Sequence, residues 1–189
     1  MNKVRLATVW LDGCSGCHMS FLDIDEALIS LAEKVDLVYS PLVDEKNFPE
    51  QVDIALVEGS ITTHHDAERI QLVRRQSKTL VTMGACATSG GIQALRNWKD
   101  VNEFIRVVYA NPQFISTLKS STPIAEHVPV DFELRGCPIN KHQLIELISA
   151  TLAGRKPNIP TYSVCLECKR RGNVCVNSSW LSGPCVQSS

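Results

Sequence analysis

Apolar positions along the chain switch between two periods. Residues 3–10 (KVRLATVW) and 52–57 (VDIALV) are short, apolar and rich in β-branched side chains, and 35–40, 79–83 and 128–134 read the same way, so five strands are expected. Residues 19–32 instead place Met19, Phe21, Leu22, Ala27, Leu28 and Leu31 at helical spacing. The same period recurs at 65–76, where Ile70, Leu72 and Val73 interrupt a charged surface, and at 141–153 through Leu144, Ile145, Leu147 and Ile148. Shorter helices are predicted at 91–98 and 101–109, before a proline-punctuated loop at 111–123, and Gly59, Gly84 and Gly136 end three of the strands. Strands alternating with helices imply crossover connections and hence parallel pairing. The predicted class is α/β: a flavodoxin-like, doubly wound, mostly parallel sheet over residues 1–153. From 154 the composition turns to RKPNIPTY and loses its periodicity, leaving an irregular cysteine-bearing C-terminal tail over 154–189.

Composition narrows the partners. The 189 residues are 44% hydrophobic and 21% charged, enough to bury one core and too apolar for a disordered chain. A formal charge of -1 supplies no electrostatic footprint for nucleic acid or anionic lipid, and three Trp, three Tyr and five Phe offer little stacking surface for single strands. No apolar run approaches the ~20 residues of a membrane span. The opening MNKVRLATVW has no charged-then-apolar leader, so a cytoplasmic location is expected.

The outlier is cysteine, with eight residues at 14, 17, 86, 137, 165, 168, 175 and 185. Clustered cysteines in a reducing compartment more often bind metal or do redox chemistry than form bridges. Cys14 and Cys17 follow the first predicted strand, Cys86 the fourth and Cys137 the fifth, so all four lie beyond carboxyl ends of strands, the edge where open parallel sheets bind ligands. Each has a glycine within two residues (Gly13, Gly16, Gly84, Gly136), which allows close backbone approach to a compact inorganic group. A thioredoxin-like dithiol at the CxxC, a closed four-thiolate zinc site and unrelated buried thiols remain open on these grounds. A cubane 4Fe-4S cluster is the reading that uses all four. FMN is not expected, because the cysteine motif occupies the loop where a flavin phosphate would sit.

The strings TVWLDGCSGCHMSFLDIDE, VEGSI, GACATSGG and RGCPI, in that order, resemble the small, electron-transferring subunit of NiFe hydrogenases. Within that superfamily the resemblance is to the short subunits of cytoplasmic NAD(P)-linked bidirectional enzymes. It implies that Cys14, Cys17, Cys86 and Cys137 ligate one 4Fe-4S cluster proximal to the Ni-Fe site of a separate large subunit, with Glu58 and Gly59 lining the same edge. It further implies diaphorase iron-sulfur/flavin partners and the reaction H2 + NAD(P)+ = NAD(P)H + H+, with no catalytic residue on this chain. The alternative is a non-enzymatic, zinc-stapled interaction module of a redox assembly. Membrane-bound uptake relatives carry Glu where this chain has Met19 and a proline pair where it has Pro138-Ile139. Neither departure removes a thiolate. The Cys14-Ser15-Gly16-Cys17 spacing sets the chain apart from the quinone-reductase relatives of respiratory complex I, which use adjacent cysteines.

The tail's Cys165, Cys168, Cys175 and Cys185 resemble the start of the second-cluster region of multi-cluster, sulfur-reducing relatives. A second 4Fe-4S cluster, zinc, free or partly oxidised thiols and a disulfide all fit that spacing, and the four are not assigned as ligands. The pair Cys165/Cys168 lacks the preceding Asp-Pro of a nickel-binding motif. Among histidines, His18 is either a hydrogen-bond partner of a cluster sulfur or an exposed helix-start residue. His64 and His65 fall in a helix-capping TTHHD string, and His127 and His142 are structural. Asp23, Asp25 and Glu26 are expected as solvated, dipole-matched residues of the helix after the first cysteine loop.

Overall fold

A computed structural model describes residues 3–174. Its centre is one parallel sheet in the order β2-β1-β3-β4-β5, made of β1 Val4–Trp10, β2 Val35–Tyr39, β3 Val52–Glu58, β4 Ser77–Met83 and β5 Phe132–Leu134. This is the flavodoxin-like order, and its switch point falls between β1 and β3. Alternation along each strand feeds two cores. Leu6, Ile54, Leu56, Met83 and Leu134 face one side and Ala7, Ala55, Val57 and Leu80 the other.

The first core is closed by α1 Gly16–Leu22, α2 Ala27–Ala32 and α6 Lys141–Leu152, through Phe21, Ile24, Leu144, Leu147 and Ile148. Onto the second pack Ile70 and Val73 of α3 His64–Gln76, Ala87 of α4 Gly84–Ser89, and Ile124 and Val128 of the return to β5. A capping box begins α3: Thr63 Oγ1 accepts from the Asp66 amide at 3.1 Å, and the Asp66 carboxylate accepts from the Thr63 amide at 2.9 Å. Asn140 caps α6 by accepting from the His142 and Gln143 amides.

Four local features depart from the periodic reading. The helix expected at 19–32 is two short helices, because the chain turns through Asp23 to Glu26 with Asp25 at φ 52, a left-handed conformation that Asp tolerates. Asp23 therefore ends α1 rather than sitting in a first turn, and the turn buries Ile24. Strand β5 is only 3 residues long. Pro129 cannot donate to a ladder, and ahead of the strand Asp131 holds Leu80 twice, its side chain accepting from the Leu80 amide at 2.7 Å and its own amide donating to the Leu80 carbonyl at 3.0 Å. Residues 92–98 form a 3-10 helix, and the described part of the tail carries a short helix, α7 Val164–Arg170.

Candidate metal centre

The carboxyl edge of the sheet gathers the chemistry. After β1 the chain passes Cys14, takes Ser15 into the left-handed region at φ 64, and starts α1 at Gly16, which leaves Cys17 buried in the first turn and Cys14 exposed. After β4, α4 carries Cys86, half-buried. After β5, Gly136 leads into Cys137, whose bond to Pro138 is cis. The Gly136 carbonyl accepts from the Ala85 amide at 2.7 Å and so ties the β5 loop to the start of α4.

Glycine is required where these segments meet. A Cβ on Gly84 would lie 2.4 Å from Cys17 Sγ, and one on Gly91 would lie 2.6 Å from Cys86 Sγ. Both glycines also have positive φ, at 83° and 64°. The sulfurs influence one another electrostatically: Cys17 feels Cys86 and Cys14, and Cys86 feels Cys137 and Cys14. Burial pushes the Cys17 thiol up to about 12, with the Glu58 carboxylate and the neighbouring sulfurs adding to the shift and the Ile139 amide opposing it. Burial likewise raises Cys86. Thiols raised in this way, Cys17 and Cys86, keep their protons until a cationic centre displaces them.

Two sets of contacts at this edge lie beyond what the sequence implies. Glu58, at the end of β3, and His18 are each only 3% exposed, and one Glu58 oxygen accepts from both the His18 amide and Nδ1, each at 2.7 Å. His18 is thus neither an exposed helix-start residue nor solvated, and its Nε2 is buried without a hydrogen-bond partner. Gln93 makes the second set. Its Oε1 accepts from the Cys86 thiol at 3.4 Å, and its Nε2 donates to the Asp12 carbonyl at 2.8 Å. A charged residue closing the otherwise apolar run in ALVEG is the signal that marks Glu58 as buried; nothing in the pattern marks Gln93.

The remaining candidates sit elsewhere. Cys165 and Cys168 lie three residues apart on α7, and Cys175 and Cys185 fall outside the described residues. Among the described residues, no three His, Cys, Asp or Glu side chains are gathered as a single-ion site. His64 and His65 open α3 as exposed residues of the capped turn. His127 Nε2 pairs with Thr122 Oγ1 at 2.7 Å, a structural contact, and His142 is exposed in the first turn of α6. No helix among the described residues is long and apolar enough to cross a membrane.

Comparison with known proteins bears on this edge. Residues 14–151 match the family described as NADH ubiquinone oxidoreductase, 20 Kd subunit. A subunit of the F420-non-reducing hydrogenase of Methanocaldococcus jannaschii is 35% identical over 180 residues, a match covering 89% of this chain and 62% of the relative. The NAD-reducing hydrogenase HoxS subunit delta of Cupriavidus necator is 32% identical over 175 residues, covering 85% of this chain and 84% of the relative. A chain in the crystal structure of an NAD+-reducing [NiFe]-hydrogenase in the H2-reduced state superposes with a TM-score of 0.79 at 37% identity, covering 85% of this chain and 97% of that one. The chain spans about three fifths of the length of the F420-non-reducing relatives, 62% for the M. jannaschii protein.

Proposed function

The chain belongs to the NADH ubiquinone oxidoreductase, 20 Kd subunit family, alongside hydrogenase small and delta subunits, and from that premise we propose that it is the electron-relay subunit of an NAD(P)-linked NiFe hydrogenase. The reaction H2 + NAD(P)+ = NAD(P)H + H+ is then divided among chains. A large subunit holds the Ni-Fe site, and diaphorase iron-sulfur/flavin subunits meet the nucleotide. Residues 1–153 form the iron-sulfur domain, 154–189 form a tail, and the assembly works in the cytoplasm.

Cys14, Cys17, Cys86 and Cys137 would hold one 4Fe-4S cluster, which supplies reversible one-electron storage when bound. The observation that carries this reading is the delivery of four cysteines to one strand edge, with Gly16, Gly84 and Gly91 packed against the sulfurs of Cys14, Cys17 and Cys86. The chain's own residues set the environment. Burial around Cys17 excludes water, the Ile139 amide donates toward its sulfur, and the Glu58–His18 pair fixes the first turn of α1. Cys14 and Cys137 are exposed, so the outer face of the site is left for a partner to cover.

The test is iron, sulfide and zinc analysis of the anaerobically purified chain, with each of Cys14, Cys17, Cys86 and Cys137 replaced in turn by Ser. The wild type should be brown, absorb broadly near roughly 400 nm and hold about four iron atoms, with iron and the reduced-state paramagnetic signal falling in every variant. A colourless zinc protein would remove the relay reading.

A further inference from the structure

The Cys86 sulfur meets the turn that follows its own helix. At the end of α4 the Gly90 amide donates to the Cys86 carbonyl at 2.9 Å and the Gly91 amide to the Ala85 carbonyl at 3.1 Å, which brings Gly91 back against the thiol. A Cβ on Gly91 would stand 2.6 Å from Cys86 Sγ and equally 2.6 Å from Gln93 Oε1. The missing side chain therefore makes room for a pair, sulfur and amide oxygen, that meet at 3.4 Å.

Gln93 is held from both ends. It lies in the 3-10 helix at 92–98, ahead of α5 Val101–Val108. That 3-10 helix is clamped by Arg96 on Thr117 Oγ1 at 3.1 Å and by two hydrogen bonds between Asn97 and Ser121, at 2.7 and 2.8 Å. At the tip of the side chain, Gln93 Nε2 donates to the Asp12 carbonyl at 2.8 Å, an oxygen that also accepts from the Ser60 amide at 2.8 Å. Asp12 stands two residues before Cys14, so one side chain joins the first cysteine loop to the sulfur of Cys86. A carbonyl can only accept, which fixes the amide with its nitrogen toward Asp12 and its oxygen toward Cys86.

That orientation suits a thiol, which has a hydrogen to give. A thiolate bound to metal has none, and the oxygen of Gln93 would then face a second acceptor. The amide nitrogen carries two hydrogens, enough for the sulfur and the Asp12 carbonyl together. We infer that Gln93 is a positioning residue of the relay site, turning its amide on loading so that Nε2 donates to the Cys86 sulfur, and that this hydrogen bond raises the potential at which the site accepts its electron. The inference rests on the relay reading and deepens it by naming a side chain that sets the site's potential. One added electron increases the negative charge shared by the sulfurs, with no bond made or broken. A donor aimed at one of those sulfurs therefore stabilises the reduced form more than the oxidised one.

The test is a potentiometric titration of the anaerobically purified full chain, followed through the reduced-state paramagnetic signal, for wild type, Gln93→Leu, Gln93→Glu and Gln71→Leu. Leucine removes the donor at similar volume, and glutamate keeps the length while putting a negative charge where the donor was. Gln71, whose Nε2 donates to the His127 carbonyl at 2.7 Å, controls for the loss of a glutamine hydrogen bond as such. The reduction equilibrium of Gln93→Leu should fall at least threefold, about 28 mV in midpoint for one electron, with Gln93→Glu at or below it and Gln71→Leu at the wild-type value. A fall smaller than threefold in Gln93→Leu, or a rise, overturns the inference. So does an equal fall in Gln71→Leu, or a Gln93→Glu midpoint above that of Gln93→Leu. Should both Gln93 variants hold no iron, the wild type decides. With its glutamine side chains labelled by the heavy nitrogen isotope, pulsed paramagnetic resonance of the reduced chain should show a coupling to that isotope, and absence of the coupling overturns the inference. If the wild-type chain holds no iron-sulfur cluster, the relay reading itself fails, an outcome distinct from a wild type that loads and titrates at the same potential as Gln93→Leu.

Discussion

Replacing Gly84 with Ala should empty the proposed four-cysteine site without unfolding the chain. Two costs enter. At φ 83 an L-residue occupies the left-handed half of the map, worth about 1–2 kcal/mol. The new Cβ would also stand 2.4 Å from Cys17 Sγ, whereas non-bonded heavy atoms settle at about 3.5–4.0 Å. Sulfur must therefore retreat by roughly 1 Å or more, against a metal-ligand tolerance of about 0.2 Å. Cys17 is buried in the first turn of α1 and has little room to yield.

Gly154 supplies the control. Its φ is 63, and nothing lies within 4 Å of the position a Cβ would take, so Gly154→Ala meets the backbone cost alone. For a chain of this size, 1–2 kcal/mol lowers the melting temperature by about 2–8 °C. Both apo variants should show at least that loss. Iron separates them: Gly154→Ala keeps about four atoms per chain, while Gly84→Ala falls below about one and loses the broad absorbance near roughly 400 nm. Wild-type iron and sulfide in Gly84→Ala would refute the claim that Cys17 is a ligand held in place by that glycine. Equal iron loss in Gly154→Ala would show that the site responds to general destabilisation instead.

Three further outcomes follow. Glu58→Ala removes the acceptor shared by the His18 amide and Nδ1, leaving two buried donors unpaired; at ~1–3 kcal/mol each this is about 2–6 kcal/mol. Thermal melting of the apo-protein should show it, and a loss under ~1 kcal/mol would contradict the burial of the pair. Asp53 accepts from Lys78 Nζ at 2.6 Å and from the Arg5 amide at 2.8 Å, and these bonds hold its carboxyl below the usual 3.8. A depressed folded value stabilises above the ordinary carboxylate range and is lost as pH falls through it, so the urea midpoint gap between wild type and Asp53→Asn should be present at pH 7 and shrink below about pH 4. A gap that does not change with pH would count against the assignment. Truncation after Thr161 should leave iron near about four atoms per chain and H2-dependent dye reduction by the hydrogenase pair largely intact, with the next subunit docking less well. About eight atoms in the full chain, halved on truncation, would place a second relay cluster in the tail.

Much of the fold is legible in the chain because the relevant signals are local. Strands β1, β3 and β4 are buried on both faces and read as apolar runs, and each cysteine segment follows a strand directly. What escapes depends on contacts distant in sequence. Helix α4, GACATS, has no apolar period, and it forms where the Ala85 amide can reach the Gly136 carbonyl, 51 positions away. Periodicity overextends strand β5 because Val128 and Val130 look like strand residues. In the fold Val128 fills the second core from outside the ladder. His18 and Glu58 are 40 residues apart, so neither periodicity nor composition could join them.

The strand order explains why a carboxylate and a glycine stand where they do. The cysteine segments follow β1, β4 and β5, but β3 lies between β1 and β4, so its exit loop crosses the middle of the site. That loop must stay low. Gly59 achieves this at φ 95, with its would-be Cβ only 2.7 Å from the Leu11 carbonyl carbon, so any side chain would force the β1 and β3 loops apart. The two loops are instead stitched by the Leu11 amide on the Glu58 carbonyl at 2.9 Å and the Ser60 amide on the Asp12 carbonyl at 2.8 Å. Glu58 ends the middle strand at this point, and its carboxylate accepts from the His18 amide next to Cys17. The Glu-Gly pair thus lets one strand pass beneath the cysteine edge while fixing the helix that carries a buried thiol. Its loss should therefore disturb Cys17 before it disturbs the sheet.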